Sequence, residues 1–164
     1  MYQWMVYIHV LATFAFLLTH GVSSVVALRL RNQREPALAR AWLELYASGS
    51  VYSVLYGSLL ALLVSGIISG FMGNWWGQGW IWLSLVLLII VIVAMFLIGS
   101  RHYSRIRKAL GMAYFDGRRG YPAGESASAE EIEALLAKAP AITLAVIGFG
   151  GIAIILWLMM FKPF

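Results

Sequence analysis

The sequence predicts an all-α fold, an integral membrane four-helix bundle with long helices that extend into the cytoplasm. Three observations predict it. Hydrophobic residues make up 62% of the 164 and charged residues only 12%, about half the charged share of a soluble domain. Three uncharged blocks divide the chain: 1–28, Leu45 to Ser100, and Ala139 to Phe161. Strict apolar–polar alternation is missing, which argues against a β-barrel and leaves helices to satisfy the backbone in lipid.

Each span follows from these blocks. A helix needs about 20 apolar residues to cross the hydrocarbon, so the first block holds one span, 4–28. The N-terminus has neither a basic leader nor a small-residue cleavage site, and reads as an uncleaved span, not a signal peptide. The second block, 56 residues long, is too long for one span. The run Gly73-Asn74-Trp75-Trp76-Gly77-Gln78-Gly79 divides it into spans 49–73 and 80–100. The last span is 141–161. Connections 29–48 and 101–140 hold eleven of the twelve Lys and Arg, leaving only Lys162 elsewhere. The positive-inside rule assigns both connections to the cytoplasm and both termini to the outside of a multi-pass protein of the cell inner (cytoplasmic) membrane. Six of the seven Trp fall near the outer boundary, as an aromatic belt would. The same rule explains the basic excess without nucleic acid. The lipid bilayer is the first expected partner, with other membrane subunits or a homo-oligomer behind it.

Pro36 suits the first turn of a helix, and Ala37 to Tyr46 is expected to run into the second span. The third span is expected to continue past Ser100, because Arg101 to Leu110 has no breaker before Gly111. Residues 115–124 form a turn-rich loop. Ser128-Ala129-Glu130-Glu131 is a capping box opening a short helix with Ile132, Leu135 and Leu136 on one face. That face is expected on the inner membrane surface or on the helix ends. The second span carries small residues every fourth position: Gly49, Ser53, Gly57, Ala61, Ser65, Ser69 and Gly73, with Gly66 and Gly70 beside them. This spacing predicts a close helix contact in lipid. The fourth span adds Gly148, Gly150 and Gly151.

Chemistry is confined to few residues. Cysteine is absent, which excludes disulfides, thiol nucleophiles and zinc-thiolate sites. No span contains Asp, Glu, Lys or Arg, which lowers an ion-coupled transporter reading and makes an enzyme improbable. His9 and His20 are eleven residues apart on the first span, on one helix face to within about 20° and about 16 Å apart along the axis. They cannot ligate one iron. His102 lies about 12 Å closer to the cytoplasm than His20. Buried imidazoles point to haem or metal ligation, with Met95 as the second candidate ligand for His20. Met5, one turn from His9, and Met159 or Met160 offer His9 a soft set suited to copper. The plain alternative is that both histidines hydrogen-bond between helices.

The opening run Tyr7-Ile8-His9-Val10-Leu11-Ala12, the basic connection after the first span, the tight outer hairpin and the basic residues after the third span resemble one plan. It is that of an uncharacterised family of four-helix bacterial integral membrane proteins, similar to the membrane domain of copper-resistance protein D. The resemblance covers residues 1–110 and leaves 111–140 unmatched. It implies a four-helix bundle in a bacterial cytoplasmic membrane, with copper or b-type haem as the cofactor. Only His9 carries over by position. The functional expectation is binding of haem b or copper through intramembrane histidines, for electron transfer or copper handling. The alternatives are a non-catalytic structural subunit or scaffold of a membrane complex and, more weakly, a small oligomeric channel.

Overall fold

The computed structural model describes residues 1–46 and 49–164. Its helices are α1 (Tyr2–Arg31), α2 (Pro36–Tyr46), α3 (Gly49–Met72), α4 (Gly79–Met95), α5 (Arg101–Ala109), α6 (Ala129–Ala137) and α7 (Ala141–Phe161). Four helical stretches are long and apolar enough to cross a membrane. They correspond to the four expected spans, and an all-α four-helix architecture accommodates them. Whether α2 runs into α3 turns on residues 47–48, outside the described residues. The continuation past Ser100 is present: α4 passes through a π-helical turn, Phe96–Ser100, directly into α5.

The helices pack as two pairs, α1 along α3 and α4 along α7, and α1 also meets α7. Although a short turn joins α3 to α4, each packs chiefly on another partner. In that turn Asn74 has φ 56° and Trp75–Gly77 form one 3₁₀ turn. The chain after α7 folds back on it: the Trp80 amide donates to the Phe164 carbonyl at 3.2 Å, and the Lys162 ammonium lies 4.1 Å from the Trp75 ring centre. The one cation remote from the basic connections is thus held on an aromatic face.

The small-residue ladder on α3 meets α1, but only along part of its length. Ser65 is buried beside His9 of α1, whereas Ser53, Gly57 and Ala61 are exposed; Gly70, next to the ladder, is covered by Trp76 and Ile81 instead. On α7, Gly151 receives Val91 of α4.

Packing is uneven along the helix axes. At the basic end, Val26 and Leu30 of α1, Ala39 and Leu43 of α2, Ile106 and Ala109 of α5, and Ile132 and Leu136 of α6 form one buried core. Apolar burial of this kind is driven by water, and it gathers at the end of the molecule where the charged connections lie. Along the apolar stretches the outward side chains stay uncovered, Leu18 at 70% exposure among them. One small cluster, Trp80, Ile81 and Leu158, is buried at the opposite end, and between the two the helices approach closely at small residues such as Gly66, Gly148 and Gly151.

The N-cap half of the expected capping box is formed. The Ser128 hydroxyl accepts from the Glu131 amide at 3.2 Å, and the apolar face of α6 covers the helix ends, not a flat surface. Helix α5 ends in a Schellman motif: the Gly111 amide donates to Lys108 and the Met112 amide to Arg107, both at 2.9 Å. Gly111 has φ +69°, which glycine adopts without penalty. The turn-rich loop holds more order than its composition suggests. Strands β1 (Tyr114–Phe115) and β2 (Gly120–Tyr121) pair antiparallel. The Asp116 carboxylate closes their turn by accepting from the amides of Arg118 at 2.7 Å and Arg119 at 2.9 Å.

Candidate functional site

Each histidine of α1 sits in a notch made by a glycine on a neighbouring helix. His9 faces α3. Its Nδ1–H donates to the Leu62 carbonyl at 2.9 Å, and a Cβ placed on Gly66 would come within 2.9 Å of its Cε1. Ser65 Oγ, which donates to Ala61 at 2.5 Å, lies 3.4 Å from the same ring nitrogen. The carbonyl fixes the tautomer and leaves Nε2 with the free lone pair.

His20 faces α7. Its ring stacks on Phe16 at 5.8 Å and meets Phe149 edge-on at 5.1 Å. The ring lies so close over Gly148 that a Cβ there would strike Nε2. His20 is only 7% exposed, and its Nε2 is buried without a hydrogen-bond partner among the described residues. An unpaired buried polar atom carries a desolvation cost of about 1–3 kcal/mol, so the site is built around a group it leaves unsatisfied.

Beside His20 lies a cavity of about 40 Å³ lined also by Ser23, Met95, Leu144, Tyr46 and Tyr103. Ser24 closes part of the rim by donating to the His20 carbonyl at 3.0 Å. Tyr103 Oη, on the same cavity, is likewise buried without a partner among the described residues. The π-helical turn explains how Met95 and Tyr103 reach one cavity. Eight residues of regular α-helix would put them about 80° apart around the axis. One residue absorbed in the π turn reduces the effective separation to seven, and the offset to about 20°.

The remaining sequence candidates are placed elsewhere. Met5 stands one turn before His9 on α1, half-buried. Met159 packs on the Trp80, Ile81 and Leu158 cluster, and Met160 is 73% exposed. The methionines of α7 are therefore set on α4 and on the outer surface, while His9 faces α3. His102 is occupied: its Nε2–H donates to the Leu135 carbonyl at 3.0 Å, tying α5 to α6. Of the expected pairs, His20 and Met95 line one cavity. Among the described residues no three His, Asp or Glu side chains gather as a metal-binding group.

Tyr46, Tyr103 and Gly148 were not singled out as site residues from sequence. Tyr103 carried one usable signal, a phenol one turn past the last apolar residue of a span. Its facing could not be computed without knowing of the π turn. Comparison with protein-family models, with curated proteins and with solved structures finds no match to this chain.

Proposed function

We propose that the chain crosses the bacterial cytoplasmic membrane four times, with both termini outside, and binds a redox-active metal centre beside His20. The observation that carries this reading is His20, whose Nε2 is buried without a partner among the described residues and which lines a cavity together with Met95. Imidazole and thioether together form a soft donor set suited to Cu(I) and also to haem iron. Size separates the two. Organic ligands of drug size or more occupy roughly 300–1,000 Å³, whereas this cavity offers about 40 Å³. It fits an ion, and haem would require α1 and α7 to part. Copper held by His20 and Met95 is accordingly the favoured occupant, and its role would be copper handling or one-electron transfer. Gly148 leaves the space next to Nε2 that any larger residue would take.

The test is loading of the purified protein with Cu(I) under reductant, with an air-oxidised and dithionite-reduced absorption spectrum recorded alongside. Stoichiometric copper that is lost in both His20→Ala and Met95→Leu is expected. A Soret band would shift the assignment to haem b. A colourless protein that takes up no copper, or whose uptake both substitutions leave intact, refutes the reading.

A second reading, a structural subunit of a membrane complex, is favoured by the uncovered part of the α3 ladder. Gly57 has open space where a Cβ would stand. Crosslinking of Gly57→Cys in native membranes to another subunit, or to a second copy, would support it.

A further inference from the structure

The hairpin β1–β2 does not project away from the helices. After the Gly111 turn the chain runs back along α5. The Met112 amide bonds to the Arg107 carbonyl at 2.9 Å, the Arg107 guanidinium Nε to the Ala113 carbonyl at 2.7 Å, and the Ser104 hydroxyl to the Phe115 carbonyl. The chain thus climbs from the level of Arg107 to that of Ser104 within three residues. Ser104 lies about 6 Å beyond Ser100, the last uncharged residue before Arg101. Strand β1 ends at Phe115, level with Ser104, and only the Asp116–Arg119 turn lies beyond it. The hairpin is therefore turned back toward the end of the apolar stretch of α4, about one helical turn from Ser104.

What it presents there is one kind of surface. Phe115 is 51% exposed. Arg118 and Arg119 are exposed at the tip, and Arg101 and Arg105 are exposed on the adjacent turns of α5. Between residues 101 and 124 there are six Lys and Arg and one acid. That acid, Asp116, is engaged with the amides of its own turn and with the Tyr121 hydroxyl at 3.0 Å. Arg119 is braced by its Nε bond to Tyr121 Oη at 2.7 Å, and Tyr121 stacks on Tyr114 at 4.8 Å. A rigid, cationic tip with an exposed phenyl ring matches an anionic lipid surface, where basic residues meet headgroups and an aromatic enters the interface.

We propose that the 114–121 hairpin is a lipid-docking arm that binds anionic phospholipid headgroups of the leaflet facing the basic connections. The proposal rests on the membrane reading given above. The cysteine-free chain allows a clean test. A nitroxide is placed at Gly120→Cys, where a Cβ meets open space, and a reference nitroxide at Leu18→Cys in α1. Both proteins are reconstituted in nanodiscs of phosphatidylcholine with and without phosphatidylglycerol, and collisions with oxygen and with a water-soluble nickel chelate are compared. The expected result is a position-120 label at headgroup depth in discs containing phosphatidylglycerol and in water without it. Changing Arg118 and Arg119 together to Gln lowers the docked-to-free ratio roughly thirtyfold, each arginine being worth about fivefold at an anionic surface. A position-120 label in water in both lipids, or docking that survives loss of both arginines, overturns the proposal while a lipid-buried position-18 label leaves the membrane reading standing. A position-18 label exposed to the nickel chelate overturns both.

Discussion

The contact between His20 and Gly148 makes a quantitative prediction. In Gly148→Ala the added methyl falls on the imidazole. The ring cannot swing clear, because Phe16 stacks on it and Phe149 meets its edge. Overpacking of this kind costs about 1–3 kcal/mol, a factor of about 5–150 in the unfolding equilibrium. In a His20→Ala background the methyl has space, so the same substitution should cost close to nothing. The cycle of wild type, two single variants and the double variant isolates the term, with whatever His20→Ala costs by itself cancelling out. Unfolding by sodium dodecyl sulfate in mixed micelles, followed by tryptophan fluorescence, supplies the four free energies. Equal destabilisation by Gly148→Ala in both backgrounds, or none in the wild type, would show that α1 and α7 do not meet at this pair. The site built on that crossing would fall with it.

Other consequences can be checked with the same assay. Gly111→Ala forces a side chain into φ +69° and to within 2.7 Å of the Gly124 carbonyl, and should cost about 2–4 kcal/mol. Leu136→Ala opens the buried core at the basic end, where that residue is 1% exposed, and should cost about 2–5 kcal/mol. Leu18→Ala, on the uncovered apolar surface where the side chain is 70% exposed, should stay within about 0.5 kcal/mol of wild type because it opens no cavity. The Asp116 carboxyl is held below its ordinary value of 3.8 by the amides of Arg119 and Arg118. The charged form is the one the hairpin binds, so this stabilisation is complete above the unfolded value and is lost as pH falls through the lower folded one. Amide protection across Tyr114–Tyr121 should therefore be flat between about pH 7 and 5, collapse below about pH 4, and be weak at every pH in Asp116→Ala.

Much of this architecture was legible from charge placement alone. Arg29 and Arg101 mark where the first and third apolar stretches end, and the Gly73–Gly79 run marks the turn between the second and third. The N-cap at Ser128 and the stop at Gly111 could be read because each depends on a local backbone requirement. The pairing of helices was harder. The α3 ladder announced a close contact, but small residues fit any partner, and nothing local says that α1 takes Ser65 and leaves Gly57 bare. The site was half readable. His20 and Met95 could be matched by depth, since depth follows from counting residues. Tyr103 could not, because its direction depends on a helical irregularity that no residue in Phe-Leu-Ile-Gly-Ser signals. The paired strands escaped notice because two residues are too few to show an alternation.

The π turn also bears on how this chain can vary in length. An interruption of that type amounts to one supernumerary residue accommodated by widening a single turn, at some local expense in hydrogen-bond geometry. Excising one amino acid anywhere in Phe96–Ser100 would restore an unbroken α-helix with all the downstream side chains still at their former azimuth. The same excision made a few turns earlier, within α4, would rotate everything beyond it by about 100°. Natural indels in a protein of this design should accordingly be concentrated at that turn.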